Sequence, residues 1–256
     1  MTITENKIKI LTIADLHGRD VWKKFADINF LLNATDPETA EGYTPEYDKY
    51  VFLGDYTDSF TETNVVIKHN LLELIRFKKL YPKNVILLLG NHDVQYFLNQ
   101  PWNRNLNYLC SGFRPEAHFD LYDIFNQNKD LFQLAYQVKN YLFTHAGVHF
   151  GWYQYTFKKA IKGLNLDDLS VADQLNEAFN LKLDCIFDVD WYRGGNKKVG
   201  GPLWCDKKLL SKILKNTNQV VGHTPVNEIK TINIKNSSIT FCDVLHHKPD
   251  FYTLVI

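Results

Sequence analysis

Short apolar runs and one amphipathic stretch alternate along the first third of the chain. Residues 8–14 are apolar except for Lys9 and Thr12, residues 49–53 finish on Val51, Phe52 and Leu53, and residues 85–89 are apolar throughout. Runs this short and continuous suit strands of a parallel sheet covered on both faces. Between the second and third runs, residues 65–80 carry Val66, Ile67, Leu71, Leu74, Ile75 and Leu80 on one face. Lys68, Arg76, Lys78 and Lys79 lie mostly on another, and Pro82 follows, which predicts an amphipathic helix and a β-α-β unit. A helix is also expected from Arg19 or Asp20 to about Asn33, and residues 31–47, with Pro37, Gly42 and Pro45, read as an exposed loop.

The rest of the chain is less regular. Residues 94–139, with Pro101, Gly112 and Pro115, predict a helical insertion ahead of a strand at 141–144. A second helical insertion is expected at 152–181 and a further helix at 207–215. Short strands at 220–221, 228–234, 238–244 and 251–256 complete the pattern. No Pro/Gly/Ser-rich linker interrupts it, so residues 1–256 are expected to form a single α/β domain with two helical insertions.

Charge and cysteine usage narrow the setting. Lys plus Arg and Asp plus Glu are both 29, which leaves no global field for nucleic acid or an anionic membrane, and neither partner is expected. The first nine residues are polar, and no apolar run approaches the roughly 18 residues of a spanning helix. Cys110, Cys185, Cys205 and Cys242 form no Cys-x-x-Cys pair and read as buried thiols of a cytoplasmic protein.

Each of the first three strands runs directly into polar chemistry. Asp15-Leu16-His17-Gly18 follows the first, Gly54-Asp55-Tyr56-Thr57-Asp58 the second and Gly90-Asn91-His92-Asp93 the third. Two later histidines sit in Thr144-His145-Ala146-Gly147 and Gly222-His223-Thr224. Together these read as a two-metal site. A mix of carboxylate, imidazole and amide ligands without thiolates suits Mn, or Fe or Zn. Two such ions about 3.5–4 Å apart can share a hydroxide and clamp an in-line displacement at phosphorus. If the chain stays extended after the strand, Asp15 and His17 share a side and can reach one ion. Gly54 permits the turn that aims Asp55, a bridging ligand, and Asn91 can offer its amide oxygen to the second ion. His92 is the candidate general acid, held protonated by Asp58.

This order of motifs resembles the calcineurin-like metallophosphoesterase superfamily. The resemblance implies a four-layer α/β/β/α fold with two central mixed sheets. It also implies two divalent metal ions, the first held by Asp15, His17 and Asp55, the second by Asp55, Asn91, His145 and His223. His92 becomes the proton donor to the group that leaves when a metal-bridging hydroxide attacks phosphorus. Pro225 stands where many phosphodiesterases of the superfamily have a second histidine. That departure, with the element from Gly201 to Asp206 around Trp204, is similar to the phosphoprotein phosphatase-like branch, which includes serine/threonine phosphatases and symmetrical dinucleoside tetraphosphatases.

Ser59 and Phe60 depart from that branch, which has an arginine after the second aspartate to grip phosphate. Arg193, with Asn91, is the expected substrate contact, and Arg104 or Arg114 is a candidate replacement for the missing clamp. Arg19 is expected at the surface. Tyr96, Phe97, Trp102 and Tyr108 are expected to pack the insertion rather than stack a base. His69, His118, His246 and His247 are expected to be structural, and His149, four residues beyond His145, is the one other histidine that can approach substrate. The expected activity is hydrolysis of a phosphomonoester, a phosphorylated protein or a small phosphate ester. The alternatives are a dinucleoside polyphosphate hydrolase and a catalytically silent binding scaffold.

Overall fold

Alternation of side chains along the strands sets the layers. The computed structural model describes residues 7–24, 45–98 and 110–256. In chain order its strands are β1 (Lys9–Ile13), β2 (Lys49–Phe52), β3 (Val85–Leu88), β4 (Phe132–Gln133), β5 (Ala135–Val138), β6 (Tyr141–Thr144), β7 (Asn218–Val221), β8 (Lys230–Ile234), β9 (Ser237–Phe241) and β10 (Tyr252–Val255). They form two five-stranded mixed sheets, ordered β10-β1-β2-β3-β4 and β5-β6-β7-β9-β8. Within the first, β1 to β4 run parallel and β10 antiparallel; within the second, β6, β7 and β9 run parallel between antiparallel edges.

Ile10, Val51, Ile86 and Leu88 of the first sheet pack with Phe143 and Val220 of the second, forming the apolar layer between the sheets. Leu11, Ile13, Phe52 and Leu87 point the other way, onto helix Asn64–Leu80 through Ile67, Leu71, Leu74 and Phe77. Burial of both strand faces is what the unbroken apolar runs require. Leu71 and Leu74 have no exposed surface, and each contributes about 1.5–3 kcal/mol by leaving water. The helix starts where Thr63 Oγ1 accepts from Val66 N at 3.3 Å, satisfying one of its orphan donors. Behind the second sheet, Val221, Ile239 and Phe241 meet Leu210 and Ile213. The result is the four-layer α/β arrangement that the resemblance implies.

Several expected elements differ. The helix from Arg19 or Asp20 onward is described only as the turn Val21–Lys24, and the remainder, most of the 31–47 loop, Arg104, Trp102 and Tyr108 lie outside the described residues. Residues 94–139 are not purely helical. Helix His118–Gln127 is followed by β4 and β5, which hand the chain from the first sheet to the second. Residues 152–181 are helical in pieces, Phe150–Trp152, Tyr153–Phe157, Lys158–Ala160 and Val171–Asn180, with Gly163 (φ 86°) and Asn165 (φ 56°) breaking the run. Residues 207–215 make only the turn Lys207–Leu209, because Ile213 is drawn into a β-bridge with His149. No helix among the described residues is long and apolar enough to cross a membrane.

Candidate metal centre

All five ligand-bearing turns follow the carboxyl ends of strands. Asp15, Asp55 and Asn91 come after β1, β2 and β3 of one sheet; His145 and His223 come after β6 and β7 of the other. The crevice beyond carboxyl ends is where open α/β sheets bind ligands. These turns are unusual in their backbone. Asp15, His17, Asp55, Asp58 and His223 all have positive φ, between 47° and 64°. Non-glycine residues rarely adopt this region, and such strain gathers at functional sites. Asp15 and His17 are therefore not aligned by an extended chain, as the Asp-x-His spacing implied; two left-handed residues aim them instead. At Gly90 a Cβ would lie 2.0 Å from Asp55 Oδ1, and at Gly222 2.1 Å from Asp15 Oδ2, so both carboxylates fill space that only glycine leaves.

The donor atoms fall into two groups around Asp55. One contains His17, Asp55 and His92, the other Asp15, Asp55 and His145. His17 Nε2 and His145 Nε2 lie 3.8 Å and 3.4 Å from the same oxygen, Asp55 Oδ2. Asn91 Oδ1, His145 Nε2 and His223 Nδ1 stand 2.8–3.1 Å apart in a triangle. His145 Nδ1 faces the Leu53 carbonyl at 2.8 Å and must carry the proton there, which leaves Nε2 a bare lone pair. Three acceptors thus share at most one proton in a buried space. A tetrahedral ion with bonds of about 2.0–2.2 Å separates its ligand atoms by roughly 3.4 Å, so a cation satisfies what hydrogen bonding does not. His17 is oriented in the same way, by Nδ1 contacts of 3.0 Å to the Thr57 and Asp58 carbonyls.

Electrostatics favour positive charge at this place. Burial pushes Asp15 well above the usual carboxyl range, and the charges of Asp243 and Asp55 add to it. Burial resists ionisation of Asp55 too, but the facing imidazoles of His145, His92 and His17 outweigh it and hold this carboxyl low. Burial lowers His17 and His145, and burial with the charges of His145 and Arg193 lowers His223 further, which favours the neutral form that binds metal. The donor set fits divalent cations.

His92 sits differently. Its Nδ1 meets Asp58 Oδ2 at 2.8 Å, and burial, which opposes its charge, is outweighed by Asp55 and Asp58, raising its pKa to about 9. Asp58 also accepts from Gln95 Nε2 at 2.6 Å and from the Tyr96 hydroxyl. Tyr96 is thus a buried support for the Asp58–His92 pair, not a stacking surface. Nothing in the motif spacing distinguished Gln95 and Tyr96 from ordinary helix positions.

Asp93 closes the third cluster, Gly90-Asn91-His92-Asp93. Its Oδ2 accepts from Asp55 N (2.7 Å) and Gly90 N (3.0 Å), and its Oδ1 from Tyr56 N (2.9 Å), Thr57 N (3.1 Å) and Thr57 Oγ1 (3.1 Å). One carboxylate therefore knots the second and third ligand turns together. Asp243, after β9, also lines the pocket, unheralded by any motif.

The turns enclose an open pocket of about 480 Å³. Arg193 reaches its wall, held by Asp206 Oδ2 at 2.9 Å and by Thr224 Oγ1. Arg19, expected at the surface, lines it as well, because its guanidinium folds back onto the Asp15 carbonyl at 3.2 Å. Arg114 does not replace the missing clamp. It braces the chain, donating to Asn64 Oδ1 at 2.6 Å, to Glu62 O at 2.7 Å and to Ser59 O. His149 caps a helix, its Nδ1 accepting from Gly151 N and Trp152 N, and is not among the pocket residues.

Comparison with known proteins adds an independent line. The model of the family described as calcineurin-like phosphoesterase matches residues 8–227. A serine/threonine-protein phosphatase of Caenorhabditis elegans is 31% identical over 127 residues, 47% of this chain and 22% of that relative. The chain therefore spans about a fifth of that protein's length. The crystal structure of a cold-active protein-tyrosine phosphatase of a psychrophilic Shewanella superposes with a TM-score of 0.57 at 16% identity, over 96% of this chain and 75% of that one. A second structure of a cold-active protein tyrosine phosphatase gives 0.57 at 14%, over 96% and 73%. At these identities the likeness concerns the fold alone.

Proposed function

Because this chain belongs to the calcineurin-like phosphoesterase family, we propose that it is a cytoplasmic phosphomonoesterase with two divalent cations and His92 as general acid. Asp15, His17 and Asp55 would hold one cation; Asp55, Asn91, His145 and His223 would hold the other. The pair, as Mn, Fe or Zn, would supply an acidified water as nucleophile and positive charge against the phosphoryl oxygens. The observation that carries this reading is the buried triangle of Asn91 Oδ1, His145 Nε2 and His223 Nδ1 beside Asp55.

His92 is tied to Asp58 through Nδ1, which leaves Nε2 to serve the pocket. As the bond from phosphorus to the leaving oxygen breaks, that oxygen keeps the electron pair and takes the Nε2 proton. Asp58, gripped by Gln95 and Tyr96, fixes the ring through this transfer. Arg193 offers its guanidinium to the phosphate, a role in which a planar fork outperforms lysine, and Asn91 borders the same space. Arg19 and Arg193 are the lysine or arginine side chains among the described residues lining the pocket. That modest charge supports a single phosphate over a polyphosphate chain. The phosphatase name of the nematode relative supports a phosphoprotein or small-ester substrate, and four free thiols fit a reducing cytoplasm.

The test is turnover of an aryl monoester, an aryl diester, a phosphopeptide and a dinucleoside tetraphosphate with added Mn²⁺ or Zn²⁺. Monoester hydrolysis that is lost in EDTA, and reduced about 10²–10⁴-fold by His92→Ala, is the expected outcome. Two bound metals without turnover would make the protein a scaffold, and preference for the tetraphosphate would make it a polyphosphate hydrolase.

A further inference from the structure

The two residues that replace the family's phosphate clamp, Ser59 and Phe60, form a device of their own. Ser59 Oγ accepts from Thr61 N at 3.2 Å and Glu62 N at 3.0 Å, closing a tight turn on its own backbone. Arg114 ties down both ends of that turn through the Ser59 and Glu62 carbonyls and is itself anchored to Asn64. Every polar group here serves to fix the loop. Yet Phe60, at its apex, is 83% exposed and forms part of the pocket wall. A single exposed phenylalanine elsewhere on a surface would need no explanation. This one is held rigidly at the mouth of a reaction pocket.

Its place within that pocket decides what it meets. A Cβ built on Gly112 would lie 3.6 Å from Phe60 Cζ and equally 3.6 Å from Asp58 Cβ. The ring tip and the aspartate that orients His92 therefore flank the same glycine. Phe60 thus lies near the aspartate that orients the proton donor, whereas Arg193 and Trp204 line the pocket from turns in the second half of the chain. Position 112 itself carries no side chain, and its φ of 82° favours glycine.

We propose that Phe60 is a specificity-determining wall for the leaving group, and that the leaving group is aromatic: the substrate is an aryl phosphate monoester, either a tyrosyl phosphate or a small phenolic phosphate. The proposal rests on the phosphomonoesterase reading above. A flat ring gains from an offset or edge-on partner in a way that an alkyl chain does not. The loss of a guanidinium at position 59 is then offset in part by contact with the group that departs rather than with the phosphate that stays.

The experiment compares kcat/KM for phenyl phosphate and a phosphotyrosyl peptide with that for a phosphoseryl peptide, in wild type, Phe60→Ala and Phe60→Trp, with saturating Mn²⁺. Taking the aryl-to-alkyl ratio within each protein and then across proteins cancels the intrinsic reactivity of the esters. The ratio is expected to fall about three- to tenfold in Phe60→Ala, the equivalent of one aromatic contact, and to persist in Phe60→Trp. A fall for phenyl phosphate and the peptide alike assigns a bare aryl contact; a fall for the peptide alone assigns a tyrosyl phosphate held by its flanking chain. Inhibition by phenylphosphonate relative to methylphosphonate should weaken in parallel, a readout independent of leaving-group departure. A ratio that moves less than twofold while the wild type remains active overturns the role of Phe60 and leaves the phosphatase reading intact. A wild type that hydrolyses no monoester overturns both.

Discussion

Replacing Asp93 by asparagine should cost more stability than replacing any single metal ligand in the metal-free protein. The carboxylate takes five donors, two on Oδ2 and three on Oδ1, all in buried surroundings. Asparagine keeps one acceptor and turns the other oxygen into an NH₂. In its less costly orientation that group faces Asp55 N and Gly90 N, so two charge-assisted bonds are lost and donors confront donors. At about 1.5–3 kcal/mol for each bond to a charged group, the penalty is roughly 3–6 kcal/mol. Typical total stabilities are about 5–15 kcal/mol, so the expected fall in melting temperature is roughly 10–20 °C for a chain of this size. The strain released at Asp55, whose φ is 55°, should also let its carboxylate drift. The assay is a thermal melt of wild type and Asp93→Asn in EDTA, so that no cation contributes, followed by a metal titration. A variant that melts within about 2 °C of wild type would refute the claim that this carboxylate knots the two turns.

Two further outcomes follow from the site. At a free metal concentration 100-fold above its dissociation constant, a native-only site adds about 2.7 kcal/mol; Mn²⁺ or Zn²⁺ should raise the wild-type melting temperature by several degrees, with a smaller rise in Asn91→Ala, and equal shifts would count against Asn91 as a ligand. In EDTA, the pKa of His92 is raised from the ordinary 6.5 to about 9 on folding, with Asp55 and Asp58 outweighing burial. A raised pKa favours the folded state fully below pH 6.5, and that contribution is lost as pH rises through 9. Wild type should therefore lose on the order of a few kcal/mol relative to His92→Gln between pH 6 and pH 10 in urea titrations, and parallel profiles for the two proteins would contradict it.

What the sequence disclosed was the part written in unbroken runs and short-range motifs. β1, β2, β3 and helix Asn64–Leu80 match their expected spans within a residue or two, because each buries a continuous or strictly periodic apolar set. The five polar clusters are legible for the same reason: each directly follows a strand. β4 and β5 were not, since Phe132–Gln133 and Ala135–Val138 are too short to show a period and owe their state to neighbours in the sheets. Long-range positions were equally hidden. Arg19 faces the pocket through contacts to the Asp15 and Leu16 carbonyls, Asp243 arrives from much later in the chain, and Arg114 is consumed by the turn it braces. Positive φ at Asp15 and His17 is a property of the assembled turn, so an extended spacing rule could not anticipate it.

The bond from His223 N to Asp15 Oδ1, at 2.9 Å, joins residues 208 positions apart. β1, which carries Asp15, is flanked on one side by β10 and pairs with it from Lys9↔Val255 onward. During synthesis on the ribosome, the turn that carries Asp15 therefore emerges long before the strand that flanks it and the histidine whose backbone N–H it accepts. A nascent chain stopped short of residue 223 carries Asp15, Asp55, Asn91 and His145 without His223. Contacts this distant in sequence form late and slowly. The five turns are thus brought together only once residue 223 and the strand that pairs with β1 have both been made.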